Sequence, residues 1–184
     1  MVGSTGAGDW VSKSVQYVAP RAAEAGDPWS EETAAQGRNG TQRIVEAGTA
    51  KAPDGVARLL GLPEESDVIV RRRIMLLDGE PFELTDTYYP LRIARGTPLA
   101  ETRKIPGGAV ALLAELGHVG ARVQEDVRAR MPSPDEAAAL AIEALQPVLR
   151  LTRLTLDRND NPIQVDMMVM PGHRQTLRYE LRID

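Results

Sequence analysis

The chain has 184 residues, enough for one well-cored domain or two very small ones. It contains no cysteine, which excludes disulfides, a thiolate metal site and a cysteine nucleophile. A net charge of −4, one Phe and two Trp argue against a basic DNA-reading face and against a base-stacking platform. No apolar run approaches the roughly 18 residues of a membrane helix, and "MVGSTGAGDWVSKSV" lacks the charged start and apolar core of a signal peptide. The expectation is a cytoplasmic protein without membrane contact.

Residues 1–40 are the least regular and are expected to be a flexible lead with a short strand and a short helix. "WVSKSVQYVAP" suits a strand, with Val11, Val15 and Tyr17 on alternate positions. "DPWSEETAAQG" opens like a helix: Asp27 or Ser30 as cap, Pro28 early, acids in the first turn and Gly37 as stop. Residues 41–184 then read as one domain. "TQRIVEAGTA" is a strand, and "PDGVARLLGL" is a short helix closed by Gly61. "VIVRRRIMLLDGEPFELTDTYYP" is a hairpin turning at Asp78-Gly79. "GGAVALLAELG" (107–117) is a helix, and "ARVQEDVRARM" is a strand. "SPDEAAALAIEAL" is a helix capped by Ser133, with Pro134 in its first position. A second hairpin turns at 158–161, and "LRYELRI" is a last strand.

The order strand, "PD"-opened helix, hairpin and proline occurs twice, about eighty residues apart. Pro53-Asp54 matches Pro134-Asp135, Arg73-Ile74 matches Arg153-Leu154, and Asp86 matches Asp166. Short apolar matches arise by chance as well, and the shared order of elements makes a duplicated β-α-β-β unit the better reading. It predicts an α+β fold, with about six strands in one largely antiparallel sheet and helices on it.

Three arginines inside an apolar strand need an explanation, because an unpaired buried guanidinium costs several kcal/mol. An even loop at Asp78-Gly79 sets Arg73 opposite Leu84, Arg71 opposite Asp86 and Ile69 opposite Tyr88, all on one face. Arg72 lies on the other face. Two readings stand side by side. Arg71 and Asp86 form a structural ion pair, or the face is a small-molecule pocket with apolar walls and a guanidinium fork for a carboxylate or phosphate. Arg153 and Asp166 in the second hairpin repeat the pattern. Gly107 and Gly108 open a helix and offer backbone N–H groups to an anion, or form an ordinary turn. His118 and His173 read as surface or packing residues. No phosphate-loop, dinucleotide or nucleophile-elbow motif occurs, and no cofactor or metal is expected.

The run "VIVRRR…DGEPFELTDTYYP", "KIPGGAVALLAELG" and "MPSPDEAAALAIEAL…VLRLTRLTLDRNDNPIQVD" resembles the UTRA effector domain of HutC-type GntR-family regulators, over roughly residues 41–184. The resemblance implies a chorismate-lyase-like fold and a homodimer. It also implies that a small-molecule effector changes the DNA affinity of an attached winged helix-turn-helix. No such reading helix is visible here, so no direct DNA binding is expected of this chain. The lead resembles the linker of actinobacterial members, and Met1 without tag residues leans toward a natural start. In members that sense phosphosugars, an acid follows the first turn, a hydroxyl residue opens the middle helix and a Glu follows the second turn. Here Thr85, Gly107 or Gly108, and Gln164 stand at those places, and Met75 replaces a second arginine. The expected ligand is therefore a less polar metabolite with one anionic group. The expected ligand-binding residues are Arg71, Arg73, Thr85, Asp86, Tyr88, Gly107, Gly108, Arg153, Gln164 and Asp166. The alternatives are a lyase-type enzyme on the same fold and an antagonist that dimerises with full-length regulators.

Overall fold

The computed structural model describes residues 10–12, 15–18 and 27–180. Six strands form one antiparallel sheet in the order β2-β3-β4-β7-β6-β5. These are β2 (Gly40–Lys51), β3 (Asp67–Leu77), β4 (Glu80–Pro90), β5 (Arg122–Arg130), β6 (Val148–Leu156) and β7 (Pro162–Pro171). The order is the same read from either edge. Each half contributes an edge strand and a hairpin whose second strand lies at the centre, so the duplicated β-α-β-β plan is present in space. A small parallel pair, β1 (Trp10–Ser12) with β8 (Gln175–Leu177), lies apart from it.

Turn chemistry builds both hairpins. Asp78 and Gly79 both have positive φ, 53° and 88°, the primed geometry that matches strand twist. The Asp78 carboxylate accepts from Asn39 N (2.8 Å) and Arg38 Nε (2.7 Å), which ties the turn to the start of β2. One feature of the strands was not legible. A β-bulge sits between Met75 and Leu76 against β4, and another between Thr155 and Leu156 against β7. The same irregularity recurs at equivalent places, which supports the duplication independently of side-chain matches. It also corrects the expected register: Arg71 lies opposite Thr87, Arg72 opposite Asp86, and Arg73 opposite Thr85. A slip of one residue exchanges faces.

One sheet face is backed by α3 (Asp54–Leu59) and α6 (Pro134–Leu140). Val56, Ala57 and the adjoining Leu60 pack on Val68, Val70, Tyr88 and Val165, while Leu140 packs on Val148 and Val169. The other face is covered by α4 (Leu91–Ala94), a 3-10 turn at Pro98–Ala100 and α5 (Gly108–Glu115). There Ile69 and Tyr89 meet Ile93, Leu99, Ile105 and Leu113. No helix among the described residues is long and apolar enough to cross a membrane.

Part of the expected lead belongs to the core. Asp27 caps α2 (Pro28–Ala35), as its sequence predicts. Trp10 and Trp29 are buried with Phe82, their ring centroids 5.2–5.8 Å apart. A Cβ on Gly40 would come within 2.3 Å of Thr33 Oγ1, so a glycine is what lets α2 lie on β2. The predicted strand through Val15 and Tyr17 is instead a helical turn, α1 (Val15–Val18). The predicted helix over 133–145 stops at Leu140, where Ala141 takes φ 52°. Of the last predicted strand, Leu177 ends β8, residues 178–180 are irregular, and the rest lies outside the described residues.

Candidate functional site

A cavity of about 150 Å³ lies on the face covered by α5 and the tryptophans. Its floor is the sheet, and its polar side chains follow from register. One cross-sheet row runs Arg71, Thr87, Asp166, Arg153, Glu125 over five strands. The next runs Ile44, Arg73, Thr85, Met168, Leu151. The polar row thus abuts a more apolar one, and the cavity continues to Met75, Phe82, Met170 and the two tryptophans.

The three arginines of β3 have three different fates. Arg71 is buried, and its guanidinium donates to the carbonyls of Pro98 (3.2 Å), Leu99 (3.3 Å), Glu101 and Arg103 (3.1 Å). It pins the connection that follows α4, and burial lowers its pKa. Arg72 points to the other face, beside Glu46 (3.4 Å) and Asp86 (3.7 Å). Arg73 enters the cavity, where Nη2 donates to Thr87 Oγ1 at 2.9 Å and its buried Nε has no partner.

Thr87 in turn donates to Asp166 Oδ1 (2.7 Å), and Gln164 Nε2 donates to Asp166 Oδ2 (2.9 Å). Gln164 Oε1 is buried without a partner. Arg153 Nε is held by Glu125 Oε1 at 2.6 Å, both side chains under a tenth exposed. The Glu83 carboxyl also faces the cavity and accepts from Thr85 Oγ1. Burial pushes Glu83 up, an effect partly opposed by Thr85, Arg153 and Arg73. Gly107, at φ 70°, starts α5 with no side-chain cap, and Gly107, Gly108 and Ala109 line the cavity. Gly108 N donates to Ile105 O (3.0 Å), so only the first-turn N–H groups after it are left for an anion.

Of the residues expected from sequence, Arg71, Arg73, Thr85, Gly107, Gly108, Arg153, Gln164 and Asp166 line the cavity. Asp86 and Tyr88 do not. The bulge turns them to the helix-backed face, where Tyr88 Oη donates to Asp86 Oδ2 at 3.3 Å. Burial pushes the Tyr88 hydroxyl up to about 12 and also raises Asp86. The expected match of Asp86 with Asp166 is corrected too. Thr85 occupies the place of Asp166, while Glu83 stands at the place of Gln164, as the match of the run 81–84 with the run 162–165 implies, counted from the bulge in each hairpin. Sequence reasoning missed Thr87, Glu83, Lys104, Asp27 and the tryptophans, all of which line the cavity. Thr87 and Glu83 share the face of Thr85 by alternation and were within reach of a correct register. The pocket is thus richer in charge than its sequence suggested. No group of acids and histidines suited to a metal occurs among the described residues.

Comparison with known proteins agrees with this architecture. The profile of the UTRA domain matches residues 35–176. An HTH-type transcriptional regulator of Streptomyces coelicolor is 29% identical over 136 residues, 72% of this chain and 51% of that protein. The HTH-type transcriptional repressor PhnF of Mycolicibacterium smegmatis is 26% identical over 148 residues, 80% of this chain and 60% of that protein. The chain thus spans between about half and three fifths of the length of these relatives. The crystal structure of the effector domain of PhnF superposes with a TM-score of 0.72 at 24% identity, over 90% of this chain and 99% of that one. The ligand-binding domain of a GntR-family regulator from Bordetella bronchiseptica gives 0.68 at 27% identity, over 78% and 90%. These relatives are transcriptional regulators rather than enzymes, and the chain belongs to the UTRA domain family of GntR-type regulators.

Proposed function

We propose that this domain senses a small effector: an anionic, partly apolar metabolite held in the cavity controls the DNA affinity of an attached or partner DNA-binding domain. One observation carries the reading. Arg73 lines a cavity that it shares with Met75, Phe82, the two tryptophans and the uncapped start of α5, and its Nε is buried without a partner. A buried donor without an acceptor costs about 1–3 kcal/mol, and an anionic ligand removes that cost. An apolar wall beside a row of convergent polar and charged groups suits a ligand with one apolar and one charged part.

The domain acts as a cytoplasmic homodimer in this reading, its exposed edge strands β2 and β5 requiring cover. With a net charge of −4 it does not itself read DNA. The test is a thermal-shift screen of carboxylates and phosphates on the wild type and Arg73→Ala, followed by operator binding of a full-length regulator carrying this domain. The expected result is a ligand that stabilises the wild type, loses its effect on Arg73→Ala and shifts operator affinity. Equal stabilisation of both proteins places the pocket elsewhere. A ligand that binds without changing operator affinity overturns the sensing role.

A further inference from the structure

We infer that the effector carries, besides its anionic group, a hydrogen-bond donor at its far end, and that Gln164 is the residue that selects it. The inference rests on the cavity being the effector site. It starts from the amide of Gln164, which is 8% exposed. An amide can turn either way, offering a donor or an acceptor. Here the choice is made by a neighbour. Asp166 is a carboxylate and accepts only, so Gln164 gives it the Nε2 hydrogens (2.9 Å). Oε1 is then presented as an acceptor, and it has no partner.

A second orphan stands beside it. Thr155 is the cross-strand neighbour of Gln164, and its Oγ1 is also buried and unpartnered. The two side chains share the wall of a smaller void that adjoins the main cavity through Gln164 and Val110. A hydroxyl or ammonium placed there donates to Oε1 and meets the Thr155 hydroxyl. A ligand with only apolar atoms at that end leaves both groups unsatisfied.

The separation of the two ends limits the ligand further. Arg73 Nη2 to Thr87 Oγ1 to Asp166 to Gln164 is a series of three hydrogen bonds, of 2.9, 2.7 and 2.9 Å. The anion at Arg73 and the donor at Gln164 are therefore not on adjacent atoms. The class is an ω-hydroxy or ω-amino acid, or a phenol-bearing acid whose ring crosses the row of Thr87 and Asp166 beside Tyr89. A plain α-amino acid is too short to serve both ends.

The experiment uses matched pairs that differ only in the donor. Thermal shift and calorimetry are run on the 184-residue chain with ω-hydroxyhexanoate, ω-aminohexanoate and hexanoate, and with para-hydroxyphenylpropanoate and phenylpropanoate. At least one donor-bearing acid is expected to bind roughly tenfold or more tightly than its plain partner. Gln164→Met is expected to bring the pair to equal affinity, while Arg73→Ala weakens both members alike. Thr155→Val guards against a merely structural water between the two orphans. If water alone satisfies them, Gln164→Met and Thr155→Val change the melting temperature of the free protein and leave the pair ratio as it was, which overturns the inference. Equal affinity within both pairs on the wild type overturns it without any variant, and leaves the effector reading standing. Silence of all five compounds overturns the ligand class. Binding that does not respond to Arg73→Ala overturns the underlying site.

Discussion

The two halves of the sheet share one backbone plan and differ in how they use it. Each has an arginine two residues before a bulge, at Arg73 and Arg153, and each helix begins Pro-Asp. Two residues apart on the partner strand, each half joins an acid to a neutral donor. The order is exchanged: Thr85 donates to Glu83, whereas Gln164 donates to Asp166. The edge strands differ as well. Arg153 meets Glu125 on β5, but Arg73 meets Ile44 on β2. The second arginine is therefore neutralised within the fold, and the first keeps an unpartnered donor. A small change at an edge strand thus leaves one of two equivalent guanidiniums available to a ligand.

The sharpest way to break this comparison lies inside one strand. Arg71 and Arg73 share a face, yet Arg71 ties four carbonyls of residues 98–103 and Arg73 ties one threonine. Arg71→Ala is expected to cost about 3–5 kcal/mol, a fall of roughly 10 °C in melting temperature, because a buried guanidinium is lost and with it the donor to the buried Leu99 carbonyl and to three part-buried ones. Arg73→Ala is expected to cost less than about 1 kcal/mol in the free protein and to remove about 1.5–3 kcal/mol of ligand binding. Thermal unfolding with and without ligand separates the two. Similar melting temperatures for both variants sink the division of labour.

Glu83 and Gln164 offer the next contrast, since they occupy equivalent positions and only one ionises. Burial raises the Glu83 carboxyl above its ordinary 4.5. A raised acid binds more protons folded than unfolded, so its contribution falls as pH rises above about 4.5 and the cost is complete above the folded value. Glu83→Gln removes that slope. Its gain in melting temperature is expected to be clear near pH 7 and to vanish near pH 4. A gain independent of pH shows that packing rather than charge is responsible.

How much of this was legible follows from the same residues. The hairpin at Asp78-Gly79, the cap at Ser133 and the repeat are local patterns, and all three stand in the structure. The faces beyond the turn were not legible, because a bulge inserts one residue without any sequence mark. That single step moved Asp86 and Tyr88 off the cavity face and hid Thr87. The polar row across five strands also needs the β4–β7 pairing, a contact between residues about eighty apart. Trp10 and Trp29 were hidden for a third reason: short segments rich in small and polar residues carry no periodicity that announces a buried ring.

The smallest expected effect separates the two backing helices. α6 starts with a complete capping box: Glu136 N donates to Ser133 Oγ (3.2 Å), and Ser133 N donates to Glu136 Oε2 (2.8 Å). Arg130 closes on the same glutamate at 2.6 Å. These contacts hold Glu136 below its ordinary pKa. α3 starts at Pro53, which has no side chain able to cap. Its first turn is closed by backbone bonds alone, Val56 N and Ala57 N both donating to Pro53 O, and its hold comes from Val56 and Ala57 against the sheet. Ser133→Ala is therefore expected to cost about 1 kcal/mol, some 2–4 °C. Pro53→Ser supplies a cap where none exists but frees a rigid residue in the unfolded chain, and these two effects, each about 0.5–1 kcal/mol, oppose each other. The expected net change is close to zero. A gain as large as the loss at Ser133 shows that capping, not burial, limits α3. A loss shows that the Pro53 ring itself anchors the end of β2.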